Sequence, residues 1–85
     1  MPVISRFFGV VIAMYWRDHA PPHFHAKYRD EEVTVEIRTG AVTGTMSKRA
    51  LALVEEWRLL NVDALLDDWE LASSKQSLRR IDPLE

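Results

Sequence analysis

The stretch DHAPPHFHAKY, residues 18–28, contains the three histidines of the chain, at positions 19, 23 and 25. Histidine changes its charge near neutral pH, and its neutral imidazole ring is a common ligand of transition metals. Two consecutive prolines, Pro21 and Pro22, separate the first histidine from the other two. These residue types and spacings indicate either a chemical site or a backbone bend that the imidazole rings brace.

The spacing of the histidines fits a metal site. Alternate residues of a β-strand lie on one face, about 6.6–6.8 Å apart along the backbone, so His23 and His25 can converge on one ion. His19 can return from the proline loop as a third ligand, and three protein ligands are typical of catalytic zinc. Asp18 and Glu36 can add a carboxylate ligand or orient a ligating imidazole. We therefore predict a site for a divalent transition metal such as zinc at His19, His23 and His25.

The same histidines also suit catalysis without a metal. One neutral and one protonated imidazole can carry out acid–base catalysis on a phosphodiester, as in an RNase. In this hypothesis the candidate catalytic residues are His23 and His25, and nearby charged side chains bind the substrate. The candidate binding residues are Arg17, Lys27, Arg29, Glu36 and Arg38.

Two further alternatives involve no catalysis. A regulator would bind nucleic acid through the basic members of the binding set, which are Arg17, Lys27, Arg29 and Arg38. In a bracing role, the histidine ring N–H groups would donate to loop carbonyls that the prolines, which lack an N–H, cannot pair. We predict a bracing role for His19 alone. For His23 and His25, a structural role and a chemical role are equally favoured.

Strands must position these residues. Residues 10–16 form an apolar run rich in β-branched and aromatic side chains, which predicts a strand covered on both faces. Residues 18–22 are predicted to be irregular, because neither proline can donate to a sheet. From position 23, and again in EVTVEIR at residues 32–38, apolar and polar side chains alternate. This alternation predicts an antiparallel hairpin with one buried and one solvent-facing side.

The hairpin would carry His23 and His25 on its solvent-facing side. A turn at residues 30–31 would place His25 opposite Glu36. The same register would place His23 opposite Arg38. A slip of one residue would bury the charged side chains, so the assignment of faces is firmer than the register itself.

Two helices and a tail are predicted to follow. TGAVTG, residues 39–44, is typical of a turn and a short edge strand, and Ser47 suits the N-cap of a first helix. Asn61 is predicted to cap a second helix, and Ile81 and Leu84 to anchor an extended tail. Apolar side chains recur at helical spacing at Ala50, Leu53, Val54, Trp57 and Leu60, and then at Val62, Leu65, Leu66, Trp69 and Ala72.

This order of elements predicts an α+β fold, in which a small antiparallel sheet of three to four strands packs against two C-terminal helices. The chain of 85 residues is long enough for one hydrophobic core only. We therefore predict a single domain over residues 1–85, with residues 7–45 rich in β-structure, residues 47–74 helical and residues 75–85 extended.

Composition narrows the function classes. The chain has no cysteine, which excludes disulfides and thiolate chemistry, and its net charge of -2 is far from the basic character of a typical nucleic-acid-binding domain. The longest apolar run, residues 7–16, is too short to cross a membrane as a helix, so we predict no membrane association and a cytoplasmic location. A core this small gains stability from a second subunit, either a homodimer or a different small protein.

Several longer stretches identify a family resemblance. The opening MPVISRFFGVVIAMYWRDHAPPHFHAKY, then RALALVEEW, LLDDWELA and IDPL, resemble the bacterial family known as domain of unknown function 4160. The resemblance covers nearly the whole chain, and DHAPPHFHA is its most specific part. The signature positions are His19, Pro21, Pro22, His23, Phe24 and His25.

The resemblance implies a small cytoplasmic protein of bacteria with no established reaction. Such domains are often encoded beside a second small domain of unknown function, number 2442, in a pairing suspected to be toxin–antitoxin-like. We therefore expect a partner-binding component of such a two-gene pair, whose histidine cluster is the active or recognition site. The alternatives are a metal-assisted or acid–base phosphodiesterase and a non-catalytic regulator that binds nucleic acid.

Overall fold

Five strands precede two helices in the protein, whose structure is a computed structural model describing residues 2–85. All neighbouring strands are antiparallel and form one sheet in the order β1-β2-β3-β4-β5. The predicted α+β class is confirmed, with one strand more than the upper prediction. The elements are β1 (Val3–Phe7), β2 (Val10–Ala13), β3 (His23–Tyr28), β4 (Glu31–Glu36), β5 (Val42–Gly44), α1 (Lys48–Leu60) and α2 (Val62–Ser73).

The additional strand, β1, forms a hairpin with β2. Phe8 and Gly9 make its two-residue turn, and both have positive φ angles, 48° and 84°. Positive φ at both central residues matches the twist of a tight hairpin, but phenylalanine rarely adopts it. The apolar run at residues 10–16 yields a strand that ends at Ala13, shorter than predicted.

The hairpin of β3 and β4 has the predicted faces but not the predicted register. Its turn lies at Arg29 and Asp30, because Arg29 adopts a φ of 56° and so reverses the chain one residue earlier than expected. His23 therefore pairs with Glu36, and His25 pairs with Thr34. The partners move by two positions, which leaves every side chain on its predicted side.

The hydrophobic core lies between the sheet and the helices. Phe24, Val33 and Val35 are at most 1% exposed, which confirms the predicted buried side of the hairpin. The Trp57 ring of α1 meets the Phe24 ring edge to face at 5.7 Å and the Phe7 ring at 5.4 Å. Because large aromatic side chains contribute most of the buried apolar area, these contacts fix α1 against the sheet.

The predicted helices are confirmed, with two differences at their junction. The Ser47 hydroxyl accepts a hydrogen bond from the Ala50 amide at 3.3 Å, as an N-cap does. Leu60, assigned to the buried stripe, is 71% exposed, because it lies at the end of α1 and beyond the sheet contact. Asn61 does not cap α2 through its side chain; its Nδ2 donates to the Trp57 carbonyl at 2.8 Å and so closes α1 instead.

A buried arginine that the sequence pattern did not reveal ties α1 to the sheet. Arg58 Nη1 donates to the Ile37 carbonyl at 2.8 Å, and its Nε and Nη2 donate to the two carboxylate oxygens of Glu55 at 2.8 and 2.7 Å. The hydrogen bond from Arg58 lowers the pKa of Glu55. Gly40, with a φ of 78°, makes room for this guanidinium, since a Cβ there would lie 2.7 Å from Arg58 Nη2.

The tail packs onto the domain as predicted. Ile81 and Leu84 are buried, and the Ile81 amide donates to the Ile4 carbonyl of β1 at 2.8 Å. The Trp57 indole donates to the Asp82 carbonyl, also at 2.8 Å. Neither helix formed by residues 2–85 is long and apolar enough to span a membrane.

Candidate metal centre

The loop between β2 and β3 brings a carboxylate to the histidines of β3. This loop is tied down at both ends: the Arg17 amide donates to the Ala72 carbonyl of α2 at 3.3 Å, and the Pro22 carbonyl accepts from the Ile37 amide at 3.0 Å. Asp18 lies between these anchors. Its side chain is therefore held over the solvent-facing side of β3, where His23 and His25 project in the same direction.

Three groups converge on a single point. Asp18 Oδ2 lies 2.9 Å from His23 Nε2 and 3.3 Å from His25 Nε2. One ligand atom from each of Asp18, His23 and His25 lies within 4.8 Å of the other two. The three side chains are between 13% and 19% exposed, so the cluster is partly shielded from water but open on one side.

The outer nitrogen of each imidazole is also occupied. His23 Nδ1 lies 2.9 Å from the Pro21 carbonyl oxygen, and His25 Nδ1 lies 3.2 Å from Glu32 Oε2. The His25 ring packs edge to face against Tyr15 at 4.3 Å, and the His23 ring lies 5.2 Å from the Trp69 ring. These contacts fix the orientation of both rings, as the outer partners of metal-binding histidines do.

Two neutral imidazole rings carry two hydrogens fewer than the hydrogen-bond contacts of this cluster require. Each of the four ring nitrogens of His23 and His25 faces an oxygen that accepts hydrogen bonds. A neutral imidazole carries one N–H only, so two neutral rings supply two of the four hydrogens needed. One divalent cation placed where the Nε2 atoms meet Asp18 would take the place of the two missing hydrogens.

Asp18 is suited to hold such a cation. Burial alone would raise the pKa of Asp18, but the hydrogen bond with His25, the backbone amide of His19 and the charge of His23 together lower it. The His19 backbone amide donates a hydrogen bond to Asp18 Oδ1 at 3.0 Å. The other carboxylate oxygen, Oδ2, therefore faces the two imidazoles. Asp18 is therefore an ionised carboxylate at neutral pH.

His19, the third predicted metal ligand, occupies a different position. Its side chain is 93% exposed, and its Nδ1 lies 3.4 Å from Asp18 Oδ1, whereas the other two histidines approach Oδ2. The convergent set thus contains Asp18 in place of His19. The sequence showed that a carboxylate stood next to His19, but periodicity does not reveal where a loop side chain points.

A cleft of about 380 Å³ opens beside the convergent set. Of the candidate binding residues, Glu36 lines this cleft. Arg17, Arg29 and Arg38 are exposed elsewhere, and Lys27 Nζ lies 3.9 Å from Glu32 Oε1. The lining residues are Asp18, His19, Ala20, Pro21, His23, His25, Thr34, Glu36, Ala41 and Thr43.

Comparison with known proteins supports the resemblance noted from the sequence. Residues 9–70 match the family described as Domain of unknown function (DUF4160). The chain belongs to this family. No curated protein and no solved structure matches the chain. The matched range contains the whole convergent set, and because the family description states no activity, a function has to be argued from the geometry.

Proposed function

We propose that this DUF4160 domain binds one divalent transition-metal ion through Asp18, His23 and His25, and that this ion is the centre of its activity. The observation that carries the proposal is the meeting of both Nε2 atoms at Asp18 Oδ2, with both Nδ1 atoms already paired. From the family resemblance we also propose that the protein is bacterial and cytoplasmic.

The distances support a zinc-like ion. Tetrahedral zinc with ligands at about 2.0–2.2 Å separates neighbouring ligand atoms by about 3.3 Å. Asp18 Oδ2 is already 2.9 Å and 3.3 Å from the two imidazole nitrogens. Each imidazole nitrogen is thus close to the separation from Asp18 Oδ2 that shared coordination of one ion requires, and all three ligand atoms lie within 4.8 Å of one another.

The chemistry that fits this arrangement is metal-assisted hydrolysis. Three protein ligands leave a coordination position open for water or substrate, as in catalytic zinc sites. A bound divalent ion lowers the pKa of such a water to about 7, which supplies hydroxide at neutral pH. The cleft beside the cluster gives a substrate access to that position. The acid–base phosphodiesterase and the nucleic-acid regulator remain alternatives.

Metal titration of purified variants tests the proposal. We expect Zn²⁺ and Co²⁺ to bind with a stoichiometry of one, and His23→Ala or His25→Ala to weaken binding by more than about 100-fold, since loss of a ligand exceeds loss of an outer partner. His19→Ala is the matched control and should bind almost normally. No binding to the unaltered protein, or an equal loss in His19→Ala, would refute the proposed site.

The partner-binding role is a second proposal, independent of the metal. Leu59 and Leu60 are consecutive and are 63% and 71% exposed at the end of α1, where a protein partner would cover them. We expect the chain to co-purify with the product of the neighbouring gene. Leu60→Ser should abolish that association if the end of α1 forms the interface, whereas Val42→Ser, which removes an exposed apolar side chain from β5, should not.

A further inference from the structure

We infer that the cleft beside the metal centre takes uncharged or positively charged ligands and disfavours phosphates, and that Glu36 sets this preference. The inference rests on the proposed metal site and names the class of ligand that would reach its open position. Three features carry it: the placement of Glu36, the charges that line the cleft, and the positions of the basic side chains.

Glu36 projects from β4 beside the metal-binding side of β3. It pairs with His23 in the sheet, and directly paired residues have Cβ atoms about 4.5–5.5 Å apart on the same face. The Glu36 residue is half-buried and lines the cleft. Within residues 2–85, its carboxylate makes no hydrogen bond or ion pair that would offset its charge. Its negative charge therefore acts on whatever enters the cleft.

The remaining lining gives a phosphate little attraction. Lysine and arginine are absent from the part of the lining formed by the described residues. A divalent ion bound by Asp18 would keep one net positive charge, and Glu36 would cancel it. Phosphate recognition in proteins relies on guanidinium, ammonium or clustered amide donors, and the cleft supplies none of the charged ones.

Two basic side chains at the other end of β3 contact groups outside the cleft lining. Lys27 Nζ lies 3.9 Å from Glu32 Oε1, and the Arg29 guanidinium lies over the Tyr28 ring, 5.2 Å from its centroid. Besides Glu36, the polar side chains of the lining outside the convergent set are the exposed His19 and the hydroxyls of Thr34 and Thr43, which are paired across β4 and β5. Hydroxyls both donate and accept, so they suit amide and hydroxyl groups, while Glu36 suits an amine.

A cobalt-loaded protein allows this preference to be measured. The Co²⁺ absorption spectrum reports on ligands at the open position, and the two probes are imidazole, which is neutral at about pH 8, and inorganic phosphate. We expect imidazole to bind the unaltered protein more tightly than phosphate. Glu36→Gln should raise phosphate affinity about tenfold by removing a nearby negative charge, and change imidazole affinity less than about twofold.

Glu56→Gln is the matched control, because it removes the same charge from an exposed position of α1 outside the cleft. It should leave both affinities within about twofold, since distant surface charges are screened. If Glu36→Gln binds cobalt normally and its phosphate affinity is unchanged, the inferred ligand preference is overturned while the metal site stands. Phosphate binding as tightly as imidazole to the unaltered protein would do the same. Absence of cobalt binding would overturn the metal site itself, and the inference with it.

Discussion

His23 and His25 are held by different outer partners, which would give them different roles in the proposed metal centre. The Pro21 carbonyl facing His23 Nδ1 can only accept, so this nitrogen is the donor, and in the neutral ring Nε2 then carries the lone pair that a metal needs. His25 Nδ1 instead faces the Glu32 carboxylate. A negatively charged partner increases the basicity of an imidazole and strengthens its bond to a metal.

Glu32→Gln should therefore weaken metal binding without removing a ligand. We expect zinc affinity to fall about 10-fold, the usual cost of losing an outer carboxylate partner. Glu32 is 45% exposed, so the free energy of unfolding of the metal-free protein should change by less than about 0.5 kcal/mol. Competition titration against a zinc chelator measures the affinity. An unchanged affinity would contradict the supporting role of Glu32 at His25 Nδ1.

Asp68 is a buried carboxyl whose charge opposes folding. Its Oδ1 accepts from the Arg79 amide at 2.9 Å, but its Oδ2 has no partner among the described residues, and burial raises the pKa of Asp68. The folded state therefore holds this proton more tightly than the unfolded state. The contribution of Asp68 to stability is greatest below its unfolded pKa of 3.8 and is lost as the pH rises through the higher folded value.

Asp68→Asn should accordingly stabilise the protein at neutral pH, by about 1 kcal/mol, because it keeps the Oδ1 acceptor and removes the buried charge. Urea unfolding at several pH values measures the difference. The gain should shrink on acidification through the raised pKa. Asp67→Asn, on a less buried neighbour in α2, is the control and should change stability little. A destabilised Asp68→Asn protein at pH 7 would contradict this account.

At the level of elements, Arg58 and Gly40 connect α1 to the turn after β4. The guanidinium makes three hydrogen bonds and cannot shift without losing the bond to Ile37. A methyl group at position 40 would lie 2.7 Å from Nη2. The contact therefore couples the orientation of the helix to the end of β4 that carries Glu36.

Gly40→Ala should destabilise the domain more than a glycine substitution in a roomier turn. Gly9 has a similar φ, 84° against 78°, but a Cβ there would meet only the Tyr28 side chain at 3.3 Å. Both changes incur backbone strain of about 1 kcal/mol or more, and the clash with Arg58 should add about 1–2 kcal/mol at position 40 only. Denaturant unfolding of the two variants measures the difference. Equal losses would show that Arg58 adapts freely.

The sequence was sufficient to predict which side of each strand is buried. It was not sufficient to predict the positions of the turns or the conformation of the loop that carries Asp18. Period-two alternation determines which side of β3 and β4 is buried, because a one-residue slip would expose the core. The turns at Phe8 and Arg29 escaped prediction because positive φ is rare for such residues, which hid β1 and shifted the register. Asp18 was recognised only as an auxiliary carboxylate, since tertiary contacts determine where an irregular loop aims its side chains.

For the molecule as a whole, the two edges of the sheet and the loop that carries Asp18 are each held in a different way. The tail covers one edge through the hydrogen bond from Ile81 to Ile4 of β1. The opposite edge, β5, has only three residues, all exposed, and short edge strands limit pairing with other chains. The loop that carries Asp18 is anchored by backbone hydrogen bonds at Arg17 and Pro22, and an ion bridging Asp18 to β3 would add a cross-link between these anchors.

Metal should therefore stabilise the whole domain. An ion at 100 times its dissociation constant adds about 2.7 kcal/mol to the free energy of unfolding, provided that the unfolded chain does not bind it. In a domain of this size that corresponds to a rise in Tm of more than about 10 °C. Thermal unfolding followed by circular dichroism, with and without Zn²⁺, measures it. His25→Ala should lose the rise and His19→Ala should keep it, because only the former removes a convergent ligand. An equal rise in His25→Ala would place the stabilising ion elsewhere, and no rise in the unaltered protein would contradict a bridging role for the metal.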